Sequence, residues 1–431
     1  MKFTSIKESL EKRKGKVSIR GWVYRERKQK DTAFLVLRDS TDIIQCVVKQ
    51  DKISKKEWEE IQKILIESSV ELEGTLKEDK RAPTGFEIQV EKIKVIGFSE
   101  KFPIAKDQSP EFLLDVRHLW LRSRKMTAIL KIRSTIFRAI HDYFRSLSYY
   151  EYHSPSFTPT AAEGGSTLFK VDYFGKEVYL TQTWQLYAEA AIFSLEKIYT
   201  IAPSFRAEKS KTARHLTEYW HTEVETAWQS FDELLDLGEG LIKHIVKEVL
   251  SKHQEELKIL GRDIKKLEPV IKKKFPRIKY TEALKLLKEK KGLTIPHGKD
   301  LRTIEEDKLS ELFDTPVFVT HYPKEIKAFY MKQDPKDPKY VLGTDLVAPE
   351  GYGELIGGSE RETDLKELIK RLKSQGEDIK KYEFFLDTRR YGSVPHSGFG
   401  MGVERVISWI CGLDSIKDAI PFPRTMLRVT P

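Results

Sequence analysis

Two short stretches far apart in the chain set a permanently charged guanidinium beside a carboxylate, in segments otherwise apolar or rich in glycine. They are Ser204-Phe205-Arg206-Ala207-Glu208 and Gly398-Phe399-Gly400-Met401-Gly402-Val403-Glu404-Arg405. A fold holds such charges half-buried only when they pair or meet a charged ligand. Two arginines flanked in this way suit a polyphosphate better than a neutral substrate. The expectation is a fold built around a nucleotide such as ATP.

A chain of 431 residues is long enough for two or three domains with their own cores. Lys and Arg total 76 against 66 Asp and Glu, a net charge of +10 that would favour a polyanionic partner. A lysine-rich solvated surface explains the same excess equally well. The two cysteines, Cys46 and Cys411, offer neither a disulfide framework nor a CxxC metal site. The first residues lack an apolar signal-peptide core and no long apolar run follows, so neither a signal peptide nor a membrane span is expected. The expected location is cytoplasmic.

The first hundred residues alternate apolar and polar side chains in short runs, at 17–23, 33–38, 43–48, 70–76 and 86–95. A helical stretch at 55–66 falls after the third run. Five strands with a helix after the third is the order of an OB barrel, a common oligonucleotide-binding module. Residues 102–119, with two prolines, read as a linker. Beyond it Ile129, Ile132, Ile136, Ile140, Phe144 and Leu147 recur at helical spacing. Strands are expected at 149–155, 178–181, 198–202, 217–228, 352–356 and 382–387. Helices are expected at 184–195, through much of 230–290 and at 403–410. Between about 265 and 342 no residue pattern points to chemistry.

In an extended chain alternate side chains share a face. In the 217–228 strand this groups Tyr219, His221, Glu223 and Glu225 on one side and Trp220, Thr222, Val224 and Thr226 on the other. An aromatic platform with two carboxylates is a poor core and a good ligand floor, although an exposed polar face has the same pattern. The glycine run at 398–402 lacks the spacing of a phosphate-cradling fingerprint and is weak alone. The run Gly351-Tyr352-Gly353-Glu354-Leu355-Ile356-Gly357-Gly358-Ser359-Glu360-Arg361 places Glu354 and Arg361 where little bulk blocks a substrate. Glu354 suits Mg²⁺, which takes one or two carboxylates plus phosphate oxygens; a structural salt bridge is the plainer alternative. No zinc-type His/Cys cluster or nucleophile elbow is present.

Taken together these residues resemble a class II aminoacyl-tRNA synthetase of the aspartyl/asparaginyl/lysyl subgroup. The likeness spans nearly the whole chain and carries three ordered motifs, at about 124–156, 200–228 and 396–412. It implies an α+β fold: an antiparallel catalytic sheet flanked by helices over residues 121–431, an OB-fold anticodon-binding domain over 1–100, and a hinge at 101–120. The first motif implies a homodimer.

The resemblance also implies roles. Arg206 holds the α-phosphate, and Arg405 meets the γ-phosphate and covers adenine opposite Tyr219. Glu208 receives the adenine amino group, and Arg214, His215 and Leu216 line the triphosphate path. The residues Gly400, Met401, Gly402 and Val403 complete the ATP site, with Arg206, Glu354 and Arg405 catalytic. Glu354 binds Mg²⁺, and Asp345 is the nearby aspartate that the subgroup can also use. Aspartyl members of the subgroup carry a lysine after Gln-Leu-Tyr, where this chain has Ala188, and an aspartate where it has Glu223. Loss of a cation and a longer carboxylate favour a carboxamide over a second carboxylate, so L-asparagine is the expected substrate and tRNA(Asn) the partner. Glu163 and Gln185 would position the α-amino group, Arg206 the carboxylate, and Glu223 and Arg361 the amide. Phe34 would stack on the middle anticodon base and Gln45 hydrogen-bond it, with Arg25, Arg27 and Lys28, in the loop before strand two, on phosphates. Three alternatives stay open: an aspartyl enzyme of relaxed tRNA specificity, an asparagine synthetase paralogue, and a non-enzymatic RNA-binding protein.

Overall fold

The structure, a computed structural model, describes residues 2–160, 167–209 and 214–431. The chain divides into two compact units, Met1–Leu114 and Asp115–Pro431. No helix among the described residues is long and apolar enough to cross a membrane.

In the first unit the alternating runs close into a barrel. Strands Gly15–Lys28, Thr32–Arg38, Ile43–Lys49, Phe86–Gly97 and Ser69–Glu78 neighbour one another in that order, and the last pairs with the first. Ala33, Leu35 and Leu37 point inward with Ile44, Cys46 and Val48, and all six are fully buried. The helix Lys55–Lys63, capped reciprocally by Ser54 and Glu57, adds Trp58 and Ile61 to that core. It stops short of the expected residue 66, and the Lys28 ammonium caps its end, donating to the carbonyls of Gln62 (3.0 Å) and Ile64 (2.5 Å). Lys28 therefore holds a helix terminus, not a phosphate. The first strand runs on through a bulge between Val23 and Arg25, so Arg25 and Arg27 lie in the strand rather than in a loop.

The second unit is built on a sheet whose central strands are antiparallel. Val317–Pro323, Asp337–Ala348, Gly353–Glu360, His396–Gly402, Glu218–Ala227 and Lys197–Phe205 follow one another across it. Parallel pairings close both ends, Arg277–Lys279 on one side and Tyr150–Glu151 on the other. The strand expected at 149–155 contributes only those two residues to this sheet. The helix Arg124–Ser146, capped by Ser123, buries Ile129, Ile132, Ile136, Ile140 and Phe144, while Leu147 lies past its end and is exposed. With the helix Phe231–Lys252 it covers one face of the sheet, sharing a core with Val224, Ile356, Phe399 and Met401. On the opposite face the middle strands carry polar side chains, while Val317, Val319 and Val347 pack in a second core with Leu287 and Phe385 of the helices Tyr280–Lys291 and Glu383–Arg390.

Two expectations fail for physical reasons. Residues 382–387 form no strand: Tyr382, Phe385, Leu386 and Arg389 are buried at helical spacing, and the helix Glu383–Arg390 results. The 102–119 linker contains the helices Pro110–Asp115 and Arg117–Trp120. Arg117 is buried there, bonded to Asp418 (3.0 Å) and to the carbonyls of Lys417, Ile420 and Pro421.

Candidate active site

The strand Glu218–Ala227 sorts its side chains as its alternation dictates. Val224 enters the helix-covered core, while Tyr219, His221, Glu223 and Glu225 face two adjoining cavities. Arg206, His221, Glu354 and Gly400 line both, so the cavities meet at these residues.

The smaller cavity gathers Arg206, Glu208, Arg214, His215, Leu216, Tyr219, Gly402 and Arg405. The Arg206 guanidinium lies 6.0 Å from the Tyr219 ring centroid and 3.8 Å from Glu208. Arg405 donates to the Glu354 carbonyl at 2.8 Å and sits 3.6 Å from its carboxylate. Arg214 grips Asp307 through two bonds of 2.7 and 2.9 Å. Burial, then the Arg405 cation, push His215 below the usual imidazole value against the pull of Glu208, which keeps the ring neutral at pH 7. A side chain at Gly400 would run into the His221 ring.

Two expectations for this region change. Met401 and Val403 are wholly buried in the core, because alternation turns them away from Gly400 and Gly402, so their side chains do not line the cavity. Glu404 does not partner its neighbour Arg405: its carboxylate takes Arg133 at 2.7 Å and the Trp220 N–H at 2.9 Å. Glu163 lies outside the described residues.

Where the cavities join, Glu354, Asp345 and Glu306 crowd together. Burial and the nearby Glu354 push Glu306 up to about 8, and burial and Asp345 raise Glu354. Lys327 is their counter-ion, with its ammonium 2.8 Å from Asp345 and 3.5 Å from Asp300. A Cβ at Gly357 would come within 2.7 Å of a Glu354 carboxylate oxygen. Glu306, Asp307, Asp300 and Lys327 all come from the stretch where the sequence promised no chemistry. They follow no motif, and only the tertiary fold delivers them to the site.

The larger cavity takes Gln185, Glu223, Glu225, Lys327, Asp345 and Arg361. Glu223 is 5% exposed and accepts from the Thr183 hydroxyl and from the Trp184 N–H at 2.9 Å. Burial alone would raise its pKa, but His221, 3.3 Å away, and these donors prevail and hold it below the usual carboxylate range. Arg361 bonds Glu225 through two parallel contacts of 2.9 Å and Ser359 at 2.8 Å. Burial raises Glu225, yet two parallel bonds require both its oxygens to accept, so the pair is ionised. Gly398 is what permits it, since a Cβ there would meet the Glu225 carboxylate and Arg361. Ala188 lies in an apolar cluster with Trp184, Ile192, Ile198 and Ala227.

On the barrel, Arg27 pairs in register with Phe34, and Phe34 with Val47, two residues from Gln45. Directly opposed residues share a face, so Arg27, Phe34 and Gln45 lie on the outside of the barrel wall while Ala33 and Leu35 point in. Phe34 is half-buried, Arg25 and Arg27 exposed, and the Gln45 amide donates to Glu87 at 2.9 Å.

Residues 109–426 match the family of class II tRNA synthetases (D, K and N), and residues 17–96 the OB-fold nucleic acid binding domain. An asparagine–tRNA ligase of Thermoplasma acidophilum is 51% identical over 416 residues, 96% of this chain and 96% of that protein. The solved asparaginyl-tRNA synthetase of Pyrococcus horikoshii, complexed with asparaginyl-adenylate, superposes with a TM-score of 0.96 over the whole of both chains at 46% identity. An aspartyl-tRNA synthetase of Entamoeba histolytica superposes at 0.86 with 28% identity, over 100% of this chain and 93% of that one.

Proposed function

The chain belongs to the class II tRNA synthetases of the D, K and N group, and within it to the asparagine–tRNA ligases; from that premise we propose how its residues carry the reaction. It is an aminoacyl-tRNA ligase that joins asparagine to tRNA with the use of ATP. In the first step an oxygen of the asparagine carboxylate bonds to the α-phosphorus, the bridge to the β-phosphate breaks, and pyrophosphate leaves. In the second, a ribose hydroxyl at the 3′ end of tRNA(Asn) takes the acyl group and AMP leaves. The attacking carboxylate is already ionised at neutral pH, so no protein base is needed for the first step.

The observation that carries this reading is Arg206 on the wall between the two cavities. A guanidinium there touches both the substrate carboxylate and the α-phosphate, where charge builds during in-line attack. Arg405 and Tyr219 sandwich adenine, Glu208 accepts from its amino group, and Arg214 and His215 follow the triphosphate. Glu223 accepts from the carboxamide NH₂, Arg361 donates to its oxygen, and Gln185 accepts from the α-ammonium. Asp345 and Glu354 are the carboxylates that would hold Mg²⁺. The donor set fits a hard divalent cation: three carboxylates crowd here, and burial, with Glu354 beside Glu306 and Asp345 beside Glu354, raises the proton affinity of Glu306 and Glu354. When bound, the ion neutralises charge on the phosphates.

The barrel reads the anticodon, with Phe34 stacked on its middle base, Gln45 bonded to it, and Arg25 and Arg27 on the backbone. Two copies join through the segment 124–156, and the enzyme works in the cytoplasm. Pyrophosphate exchange into ATP, assayed with all twenty amino acids, tests the reading: asparagine alone should support it. Equal exchange with aspartate would favour the aspartyl alternative, and ammonia-dependent conversion of aspartate the synthetase paralogue.

A further inference from the structure

Beneath the larger cavity lies a layer of ionic groups that touches no solvent. Glu189, Arg389 and His396 are buried there, with Glu189 and His396 at 0% exposure. One Glu189 oxygen takes the Arg389 guanidinium at 2.5 Å and the His396 Nε2 at 3.1 Å. The His396 Nδ1 lies 2.7 Å from the Val394 carbonyl, which can only accept, so that nitrogen carries a hydrogen. Arg389 is itself fixed by the Glu362 carbonyl (3.0 Å) and the Thr388 hydroxyl (2.6 Å). The other Glu189 oxygen is thereby aimed upward, and it accepts from the Gln185 amide nitrogen at 2.8 Å.

That last bond has a chemical consequence. An amide side chain offers a donor at one end and an acceptor at the other, whereas an α-ammonium group is a donor only. If Gln185 turned its NH₂ toward the cavity, two donors would face each other. Glu189, ionised and acceptor-only, binds the NH₂ and leaves the carbonyl end for the cavity that Gln185 lines. Arg389, His396 and Arg361 outweigh burial and hold Glu189 well below the usual carboxylate range, so it stays an acceptor throughout the working pH range. We propose that Glu189 is a positioning residue for the amino-acid substrate: it fixes the Gln185 amide so that its carbonyl oxygen, and not its NH₂, meets the α-ammonium group. The proposal rests on the asparagine reading of this cavity.

The isosteric variant Glu189→Gln is the direct test. A glutamine has one acceptor oxygen, which cannot serve both the Arg389–His396 side and Gln185, so either Gln185 turns over or the cations lose a partner. Pyrophosphate exchange gives KM for asparagine and for ATP. Competition by succinamic acid, which is asparagine without its amino group, gives the affinity for everything except the ammonium. The variant should raise KM for asparagine roughly 10- to 100-fold, the scale of a hydrogen bond to a charged group, while KM for ATP and inhibition by succinamic acid change less than about threefold. Equal weakening of asparagine and succinamic acid, or no weakening of either, overturns the proposal. Glu189→Asp keeps the charge but falls short of Gln185, and it should show the same asymmetry should the glutamine variant fail to fold. Wild-type protein that shows no asparagine-dependent exchange would instead remove the functional reading itself.

Discussion

Arg133 and Glu404 form a buried ion pair of 2.7 Å, and the second Glu404 oxygen takes the backbone N–H of Trp220 at 2.9 Å. One carboxylate thus ties together the long helix Arg124–Ser146, the strand that floors the site and the helix Val403–Cys411 that carries Arg405. Arg133 also donates to the Ala419 carbonyl at 2.9 Å. Burial raises Glu404, and the Arg133 cation opposes that. Replacing Arg133 by Met leaves the carboxylate buried without its cation, a loss of about 3–5 kcal/mol. The denaturation midpoint should fall accordingly, and adding Glu404→Gln should recover part of it. Additive losses in the double variant would show that the two do not act as a pair.

Arg206→Ala should abolish asparagine-dependent pyrophosphate exchange while tRNA binding persists. A guanidinium that meets charge developing on the α-phosphate contributes on the scale of an oxyanion-hole donor, about 10²–10³ in rate or more. Its side chain is about one-third exposed, so its removal should hardly move the melting temperature. Exchange at the wild-type rate would take Arg206 out of the chemistry.

The legible part of this molecule was the part written in local pattern. Alternation in residues 17–95 gave the barrel, because inward and outward side chains in a half-buried strand differ in kind. The same logic sorted Val224 from Glu223 and Glu225. What stayed hidden came from distance. Glu306, Asp307, Asp300 and Lys327 sit in a lysine-rich stretch with no motif, and nothing local distinguishes Lys327 from neighbouring surface lysines until it is found beside Asp345. The apparent Glu404–Arg405 pair misled because consecutive helical residues point about 100° apart. The strand expected at 382–387 was a misread period, since burial at 382, 385, 386 and 389 is helical.

Both cysteines should be inert in the folded protein. Cys46 and Cys411 are wholly buried, and burial pushes both thiols up, Cys411 to about 12. A raised thiol is protonated below its pKa, so at pH 8 both side chains stay in the unreactive thiol form. Iodoacetamide should leave the native chain unmodified at pH 8 and label two sites once it is unfolded, as mass spectrometry would show. Rapid labelling of native protein would contradict the packing of both cores.

Phe34→Ala tests the barrel separately from the catalytic unit. Phe34 packs on the outer wall beside Arg27 and Gln45, so removing the ring should cost little stability. Stacking on a base contributes about 1–3 kcal/mol, and aminoacylation at limiting tRNA should fall by roughly 5- to 150-fold, while the tRNA-independent exchange rate holds. A large loss of thermal stability would instead assign Phe34 to the barrel's packing.

Selection of the amide over the acid turns on Glu223, and its surroundings make the substitution clean. The Thr183 hydroxyl that donates to it can turn and accept, while the Trp184 N–H still finds an oxygen, so Glu223→Gln satisfies these two donors and gives up only the charge that faces the substrate and His221. A glutamine there can still accept weakly from the substrate NH₂ but no longer repels a carboxylate. The preference for asparagine over aspartate, measured as the ratio of kcat/KM in exchange, should drop by roughly 10- to 100-fold, with most of the change in KM. Ala188→Lys is the less informative companion, because Ala188 sits among Trp184, Ile192, Ile198 and Ala227 and a lysine there would first have to displace them. If the Glu223→Gln enzyme discriminates as sharply as the wild type, the carboxylate that reads the amide must be Glu225, held against Arg361 on the same face of the strand.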